Sequence, residues 1–492
     1  MGKKFADDEK YRDDDDEAQL VRVFVDPTRK EKKVSPWLFG TNLSPAMETE
    51  TGVVKFIRQS GITCFRFPDG GSPGYHWKDG SFDHTGRFAR APLRDMDYFI
   101  QFCRTTGTRP IIRVNVESGT PAEAAAWVAY LNKTAVFPAT YWELGNEVYD
   151  ESDRGYRTPE KYADLIIAYS TEMKKADPSI KIGMDWAPTA KHSFNAKVVV
   201  KAGKYVDFVS VHWYPNLISP DRPWNGRIHP YPEEVLAGSL QIKGMVEEIR
   251  EIFKKYDPER AKPVEVAFLE WEGTVDGPAL DLPPYSKGIV QWSLANALFH
   301  ADCLGIFAKE GVDVAATFDF QSTGSGYIRG SDKDVDETGQ RWDNAIIRPK
   351  ALALKLFSEY FGDTVVACSV ADAPYYYAKE DWWPETYRGR VPYVTAYAGL
   401  FEGKDKLTLM LINKHPEKSY AVHALTYNVA LWPKGKVYVL TGPALTAQNE
   451  DNPSNVQIKE FEVDNIAREM DFSLPPHAVM LIQMDIENEN NK

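Results

Sequence analysis

Two short stretches place acidic side chains directly after an apolar run. One reads Trp142-Glu143-Leu144-Gly145-Asn146-Glu147, the other Phe268-Leu269-Glu270-Trp271-Glu272. A third apolar run ends in Val211-His212-Trp213-Tyr214-Pro215. Carboxyl groups at the ends of two strands of one sheet suit the cleavage of a glycosidic bond. That reaction needs a proton for the departing oxygen and negative charge beside an oxocarbenium-like carbon. When the two groups stand roughly 5–5.5 Å apart, the second attacks the carbon directly and the anomeric configuration is retained. On this reading Glu147 is the acid/base and Glu270 the nucleophile. Glu272 competes with Glu270 for the second role, and Glu143 points either into the sheet's interior or to solvent. His212, beside Trp213 and Tyr214, is placed in the site rather than read as a satisfied buried histidine.

Such side chains need a scaffold that gathers strand ends. From residue 34 to 360, short apolar runs alternate with amphipathic stretches, the pattern of β/α units around a parallel sheet. Eight strand candidates can be counted: Trp37–Gly40, Ile62–Phe67, Pro110–Val114, Tyr141–Leu144, Ile180–Met184, Phe208–His212, Val264–Leu269 and Val314–Phe318. Eight is the number that closes a (β/α)₈ barrel, whose chemistry sits at the C-terminal ends of its strands. Helix signals fall between them. Thr120-Pro121-Ala122-Glu123 forms a capping box with proline in the first turn, and another helix is predicted to start at Thr158-Pro159 and stop before Asp177-Pro178. A mostly apolar helix is predicted from about Lys287 to Lys309.

After residue 360 the strands become short and are separated by Gly, Pro, Asn and Asp, so residues 361–492 are expected to form an antiparallel β-sandwich. Val21–Val25 alternates like a half-buried strand, and residues 18–33 are expected to join that sandwich. The acidic stretch Asp13–Glu17 marks residues 1–17 as a disordered tail.

The formal net charge of −13, with no basic stripe, argues against nucleic acid as a partner. No run of about 18 apolar residues argues for a membrane span. The start, Met1-Gly2-Lys3-Lys4, has no apolar leader, so the protein is expected in the cytoplasm, or outside the cell with its export signal already removed. Cys64, Cys103, Cys303 and Cys368 lie far apart and are expected as free thiols. No His-Glu-x-x-His spacing occurs, so neither metal nor cofactor is expected in the chemistry. The 13 Trp and 25 Tyr include rings near strand ends that could stack on sugar faces, with Trp77, Trp186, Trp213 and Trp224 as candidates.

At these residues the chain resembles the clan of retaining barrel glycosidases, and within it glycoside hydrolase family 51, with family 39 next. The resemblance rests on Tyr141 to Glu147, on Phe65-Arg66-Phe67-Pro68-Asp69-Gly70-Gly71 with Tyr75 to Gly80, on Glu270-Trp271 and on His212-Trp213-Tyr214. It implies that Arg66 supports the nucleophile, that Asn146 bonds the sugar 2-hydroxyl, and that Tyr214 lies near Glu270. It also implies an oligo- or polysaccharide substrate from the plant cell wall, and leaves the oligomeric state open. The chain departs from the arabinofuranosidase pattern at Val148-Tyr149-Asp150, at the inserted Asp69 and after Asn42. Together with the Trp-rich loops, these departures lean the expectation toward an endo-β-1,4-glucanase. α-L-Arabinofuranosidase is the alternative, and a non-catalytic glycan-binding protein the remote one.

Overall fold

The computed structural model describes residues 20–45, 51–70, 74–83, 95–151, 156–188, 192–218, 223–227, 230–274, 290–321, 326–328, 346–450 and 452–487. The tail expected over residues 1–17 lies outside them.

Eight parallel strands close into a barrel. In chain order they are Gly40–Asn42, Cys64–Phe67, Arg109–Val114, Tyr141–Leu144, Lys181–Trp186, Phe208–Trp213, Glu265–Trp271 and Val314–Thr317, hereafter the first to eighth barrel strands. The expected number and order hold; most boundaries shift by one or two residues, and the largest shift is in the first strand, which starts at Gly40 rather than Trp37. Trp37 is instead used at the barrel floor. Its ring meets Tyr141 edge-on at 4.9 Å, and the Arg109 guanidinium lies 4.0 Å above it. Above it the interior fills with Cys64, Ile111, Tyr141, Phe208, Ala267, Leu269, Val314 and Ala316, a dry layer at the N-terminal end of the strands. Gly183 makes room for this layer, since a Cβ there would fall 2.1 Å from the Phe208 ring.

The helices begin where the capping residues say they should. Thr120 accepts the Glu123 N–H at the head of Pro121–Ala129, and Thr158 does the same for Lys161 at the head of Pro159–Ala176. The apolar helix runs Leu294–Glu310 and is buried on nearly every side. It is wedged between the barrel wall and the C-terminal sheet, and its Asp302 crosses to that sheet. Lys414 Nζ lies 2.6 Å away, and Tyr397 and Thr395 donate hydroxyls at 2.8 and 2.7 Å.

The expected C-terminal sandwich takes the form of one nine-stranded sheet curled on itself. Its order is Gln457–Val463, Leu431–Thr441, Ala478–Ile486, Lys406–Asn413, Val394–Phe401, Thr364–Ala371, Val21–Lys33, Tyr420–Thr426 and Glu469–Leu474. The N-terminal strand Val21–Lys33 sits inside this sheet, antiparallel to Thr364–Ala371 and parallel to Tyr420–Thr426. Alternation sorts its residues between two cores. Leu407, Leu409 and Leu411 point into the curl, while Met410 and Ile412 join the barrel's core. Among the described residues no helix is long and apolar enough to cross a membrane. Cys64, Cys103, Cys303 and Cys368 are all free.

Candidate active site

Two residues up each strand from the dry floor, the barrel interior turns polar. Cys64 is followed by Arg66, Ile111 by Arg113, Tyr141 by Glu143, Gly183 by Asp185, and Phe208 by Ser210 and then His212. All of these polar residues are buried. The period of two that keeps a strand's side chains on one face puts them in one layer.

Arg66 ties the layer together. Its Nε donates to Glu143 Oε2 at 2.6 Å, Nη1 to Glu270 Oε1 at 2.6 Å and to Asn42 Oδ1 at 2.8 Å, and Nη2 to Asn146 Oδ1 at 2.8 Å. The planar guanidinium suits this task because its donors are held in a fixed fork. Glu143 accepts further bonds from Ser210 and His212. It therefore points into the barrel, beneath the strand-end carboxylates, as a partner of Arg66.

Glu270 reaches the interior through a register slip. The seventh strand pairs Phe268 with Val211 and then Glu270 with His212, leaving Leu269 as the extra residue. The bulge lets Leu269 line the dry floor while Glu270 also turns inward. The Glu270 carboxylate is held at both oxygens, by Arg66 and by the Tyr214 hydroxyl at 2.9 Å. The backbone at Gly70 presses against it, since a Cβ there would fall 2.0 Å from Glu270 Oε1.

Glu147 sits on the turn after the fourth strand, with φ at +48° in the left-handed region. Its carboxylate meets His212 Nδ1 at 3.2 Å, and the same nitrogen lies 3.7 Å from Glu270 Oε2. A carboxylate oxygen of Glu147, one of Glu270 and a ring nitrogen of His212 all lie within 4.8 Å of one another. The two carboxylates thus lie close together, with the His212 ring nitrogen near both.

The charges are set by this crowding. Burial opposes ionisation of Glu270, but the charges on His212 and Arg66, with the Tyr214 hydroxyl, outweigh it and hold the carboxyl below its usual range. Glu143 is lowered in the same way, burial being overcome chiefly by Arg66. Burial would also strip His212 of its proton; Glu270, Glu143 and Glu147 reverse that and push it up to about 10. Glu143, Asp185 and His212, like Glu147, His212 and Glu270, have the donor types and spacing a cation could use. Here Glu143, Glu147 and Glu270 already pair with Arg66 or His212.

The structure brings Arg66, Asn146, Glu147, His212, Tyr214 and Glu270 together. It does not do so for three of the aromatic candidates. Trp77 packs in parallel with Trp127 at 6.1 Å, Trp186 stacks on Phe253 at 6.5 Å, and Trp213 packs edge-on to Phe268 and donates its Nε1 to Gln241. All three are buried core rings rather than platforms with a free face, because their side chains leave the outer faces of the strands and loops toward the helices. Trp224 remains half-buried, edge-on to Trp383. Glu272 is also excluded as a rival nucleophile: it faces away from the barrel axis, sealed against Lys350 and His300. Sequence reading missed Asn42, Asp185 and Ser210, and left Glu143 undecided. The signal was present in the period of two counted up from the floor residues.

No family model matches the chain. A probable α-L-arabinofuranosidase C from Aspergillus flavus is 23% identical over 525 aligned positions, covering 94% of this chain and 97% of that protein. Among solved structures, the α-L-arabinofuranosidase of Thermotoga maritima in complex with arabinose superposes with a TM-score of 0.77 at 22% identity, covering 94% of this chain and 99% of the other. The family 51 α-L-arabinofuranosidase of Thermotoga petrophila gives 0.75 at 22% identity, with coverages of 94% and 100%. A bifunctional glucanase-xylanase from a metagenome library is more remote, at 0.66 and 14%, covering 95% and 99%. In fold the chain is like the family 51 arabinofuranosidases, and in sequence it is similar to α-L-arabinofuranosidases along nearly its whole length.

Proposed function

We propose that this protein is a retaining α-L-arabinofuranosidase that removes L-arabinofuranosyl residues from plant cell-wall polysaccharide. The observation that carries the mechanism is the pair of carboxylates, Glu147 and Glu270, with oxygens within 4.8 Å of each other. That spacing leaves no room for a water between nucleophile and sugar and suits direct attack. The sugar is argued from the relatives that match the whole chain, which carry arabinofuranosidase names. They favour this reading over the endo-β-1,4-glucanase expected from the loop departures, as does the burial of Trp77, Trp186 and Trp213, whose rings had argued for a long glucan.

In the first half-reaction a Glu270 oxygen bonds to the anomeric carbon, the glycosidic C–O bond breaks, and the Glu147 proton passes to the leaving oxygen. In the second, Glu147 takes a proton from water, the water oxygen bonds to the anomeric carbon, and the ester to Glu270 opens. Arg66 and Tyr214 hold the carboxylate for attack and spread its charge. Asn146, with Oδ1 taken by Arg66, presents its amide N–H to the sugar 2-hydroxyl. His212 keeps a positive charge between the two carboxylates.

The test is a panel of nitrophenyl glycosides and polysaccharides with product stereochemistry followed by NMR. A nitrophenyl α-L-arabinofuranoside should be hydrolysed with retention and arabinan or arabinoxylan should release arabinose. In Glu147→Ala, azide should restore turnover of an activated substrate, and Glu270→Ala should be inactive. An inverted first product would exclude direct attack by Glu270. Loss of viscosity from mixed-linkage glucan without release of arabinose would return the endo-glucanase reading.

A further inference from the structure

Asp185 is a buried carboxyl that the reaction scheme does not use. It ends the interior face of the fifth barrel strand, one layer below Glu147. Oδ2 accepts the backbone N–H of Val148, the residue next to Glu147, at 3.2 Å. Oδ1 is buried and has no hydrogen-bond partner. An oxygen of Asp185 lies within 4.8 Å of a Glu143 oxygen and of a His212 ring nitrogen.

The turn it touches is under constraint. Gly145 has φ of +101° and Glu147 of +48°. A Cβ on Gly145 would fall 2.5 Å from Val148 Cγ1 and 3.4 Å from Asp185 Oδ2. The Asp150 N–H bonds the Glu147 carbonyl at 2.8 Å and the Arg157 N–H bonds the Val148 carbonyl at 2.7 Å. These bonds fix the far side of the turn, and the bond to Asp185 fixes the near side. Asp185 is itself fixed: its N–H donates to the Tyr162 hydroxyl at 2.8 Å, and that hydroxyl donates to the Leu144 carbonyl at 2.8 Å. The ends of the fourth and fifth strands are thus stitched together through one tyrosine. A non-glycine residue in the left-handed region persists only where its surroundings over-determine it.

We propose that Asp185 is a positioning residue that pins the turn and so aims Glu147 at the leaving-group oxygen. This rests on the reading of Glu147 as acid/base. Two negative carboxylates in contact underground are disfavoured, and Arg66 already belongs to Glu143 and Glu270. Burial, and after it the charge on Glu143, raises the Asp185 carboxyl well above the usual range, while His212, the Val148 N–H and Arg66 pull the other way. The hydroxyls of Tyr149 and Tyr162 face it as well, both with ionisation pushed out of reach by burial.

The experiment compares two arabinofuranosides in Asp185→Ala, Asp185→Asn and Glu147→Ala: an alkyl one, whose leaving group needs a proton, and a dinitrophenyl one, whose leaving group does not. A displacement of about 1 Å at a catalytic group lowers rates by about 100-fold. Asp185→Ala should lose that much in kcat/KM, which reports the first half-reaction, on the alkyl substrate and far less on the dinitrophenyl one. Asp185→Asn, which keeps a neutral acceptor for Val148, should recover most of the loss. Equal losses on both substrates, or no recovery with Asn, would overturn the proposal. If Glu147→Ala itself fails to distinguish the two substrates, the acid/base reading falls; if it distinguishes them and Asp185→Ala does not, only this inference falls. Should the Ala variant not fold, Asp185→Ser, whose side chain is too short to reach the Val148 N–H, decides by the same comparison of substrates: a loss on the alkyl substrate well above that on the dinitrophenyl one is expected, and equal losses overturn the proposal.

Discussion

Replacing Tyr214 by Phe removes one oxygen atom and leaves the ring where it packs, edge-on to Phe318 at 6.5 Å. The lost group is the O–H that donates to Glu270 Oε2 at 2.9 Å. Glu270 is buried and Tyr214 half-buried, so the carboxylate oxygen that loses this donor is largely shielded from bulk water. A hydrogen bond to a charged group contributes about 1.5–3 kcal/mol. If all of it serves the attacking state, kcat/KM falls by roughly 10- to 150-fold. The pH profile gives the sharper test. In the proposed reaction Glu270 must be ionised to attack, and its carboxyl is lowered by His212, Arg66 and the Tyr214 hydroxyl against the opposing effect of burial. Removing one of the three lowering contacts raises it again. The acid limb of kcat/KM should therefore move to higher pH in Tyr214→Phe, and the variant should lose most activity at low pH and least near neutrality. The assay is kcat/KM for a nitrophenyl arabinofuranoside across the acid range. A uniform loss at every pH, with the limb unmoved, would mean that the hydroxyl does not act on the Glu270 charge.

The sealed carboxylate Glu272 gives a stability prediction. Burial would raise it, but Lys350 and then His300 lower it to about 2 from an ordinary 4.5. A lowered folded-state value stabilises the protein above the ordinary value, and that contribution is lost as pH falls from about 4.5 toward about 2. Glu272→Gln should therefore flatten the acid side of the stability curve in urea unfolding, and should cost about 3–5 kcal/mol at neutral pH by leaving Lys350 buried without its charge partner. Activity surviving in the folded fraction would agree with its exclusion from the chemistry; complete inactivity of well-folded protein would not. Trp186→Ala, in the core against Phe253, should lower stability by about 3–5 kcal/mol while leaving KM for an aryl arabinofuranoside within a few-fold. A large rise in KM with little change in unfolding would restore Trp186 as a sugar platform.

Most of the scaffold could be read from the chain because its signals are local. Thr120 and Thr158 announce helix starts through their own side chains, and eight apolar runs of β-rich composition mark eight strands. The misplaced first strand has a non-local cause. Trp37 looks like strand sequence, yet it is more useful as a plug beneath Tyr141 and Arg109, which arrive from strands far along the chain. The curl of the C-terminal sheet was hidden for a similar reason. Leu409 to Ile412 is apolar at every position, and only the presence of a second core, formed with the helix Leu294–Glu310, separates the two faces.

The site divides along the same line. Glu147, Glu270, His212 and Tyr214 were legible because each ends a strand and chemistry on a barrel collects there. The aromatic platforms were misread because a ring beside a strand end can leave by either face, and Trp77, Trp186 and Trp213 take the outward one. The buried carboxylates Glu143 and Asp185 needed a different count, two residues at a time from a floor whose height the sequence does not mark. Glu270 breaks even that count, since Leu269 and Glu270 both turn inward at the bulge; strict alternation from Ala267 would have sent Glu270 outward. The inward turn of Glu270 is thus a property of one extra residue in one strand pair, and the placement of Glu147 that of one left-handed residue on the turn after the fourth strand. Both are departures from regular geometry, and each is backed by a buried polar neighbour: Arg66 bonds the Glu270 carboxylate, and Asp185 bonds the backbone N–H next to Glu147.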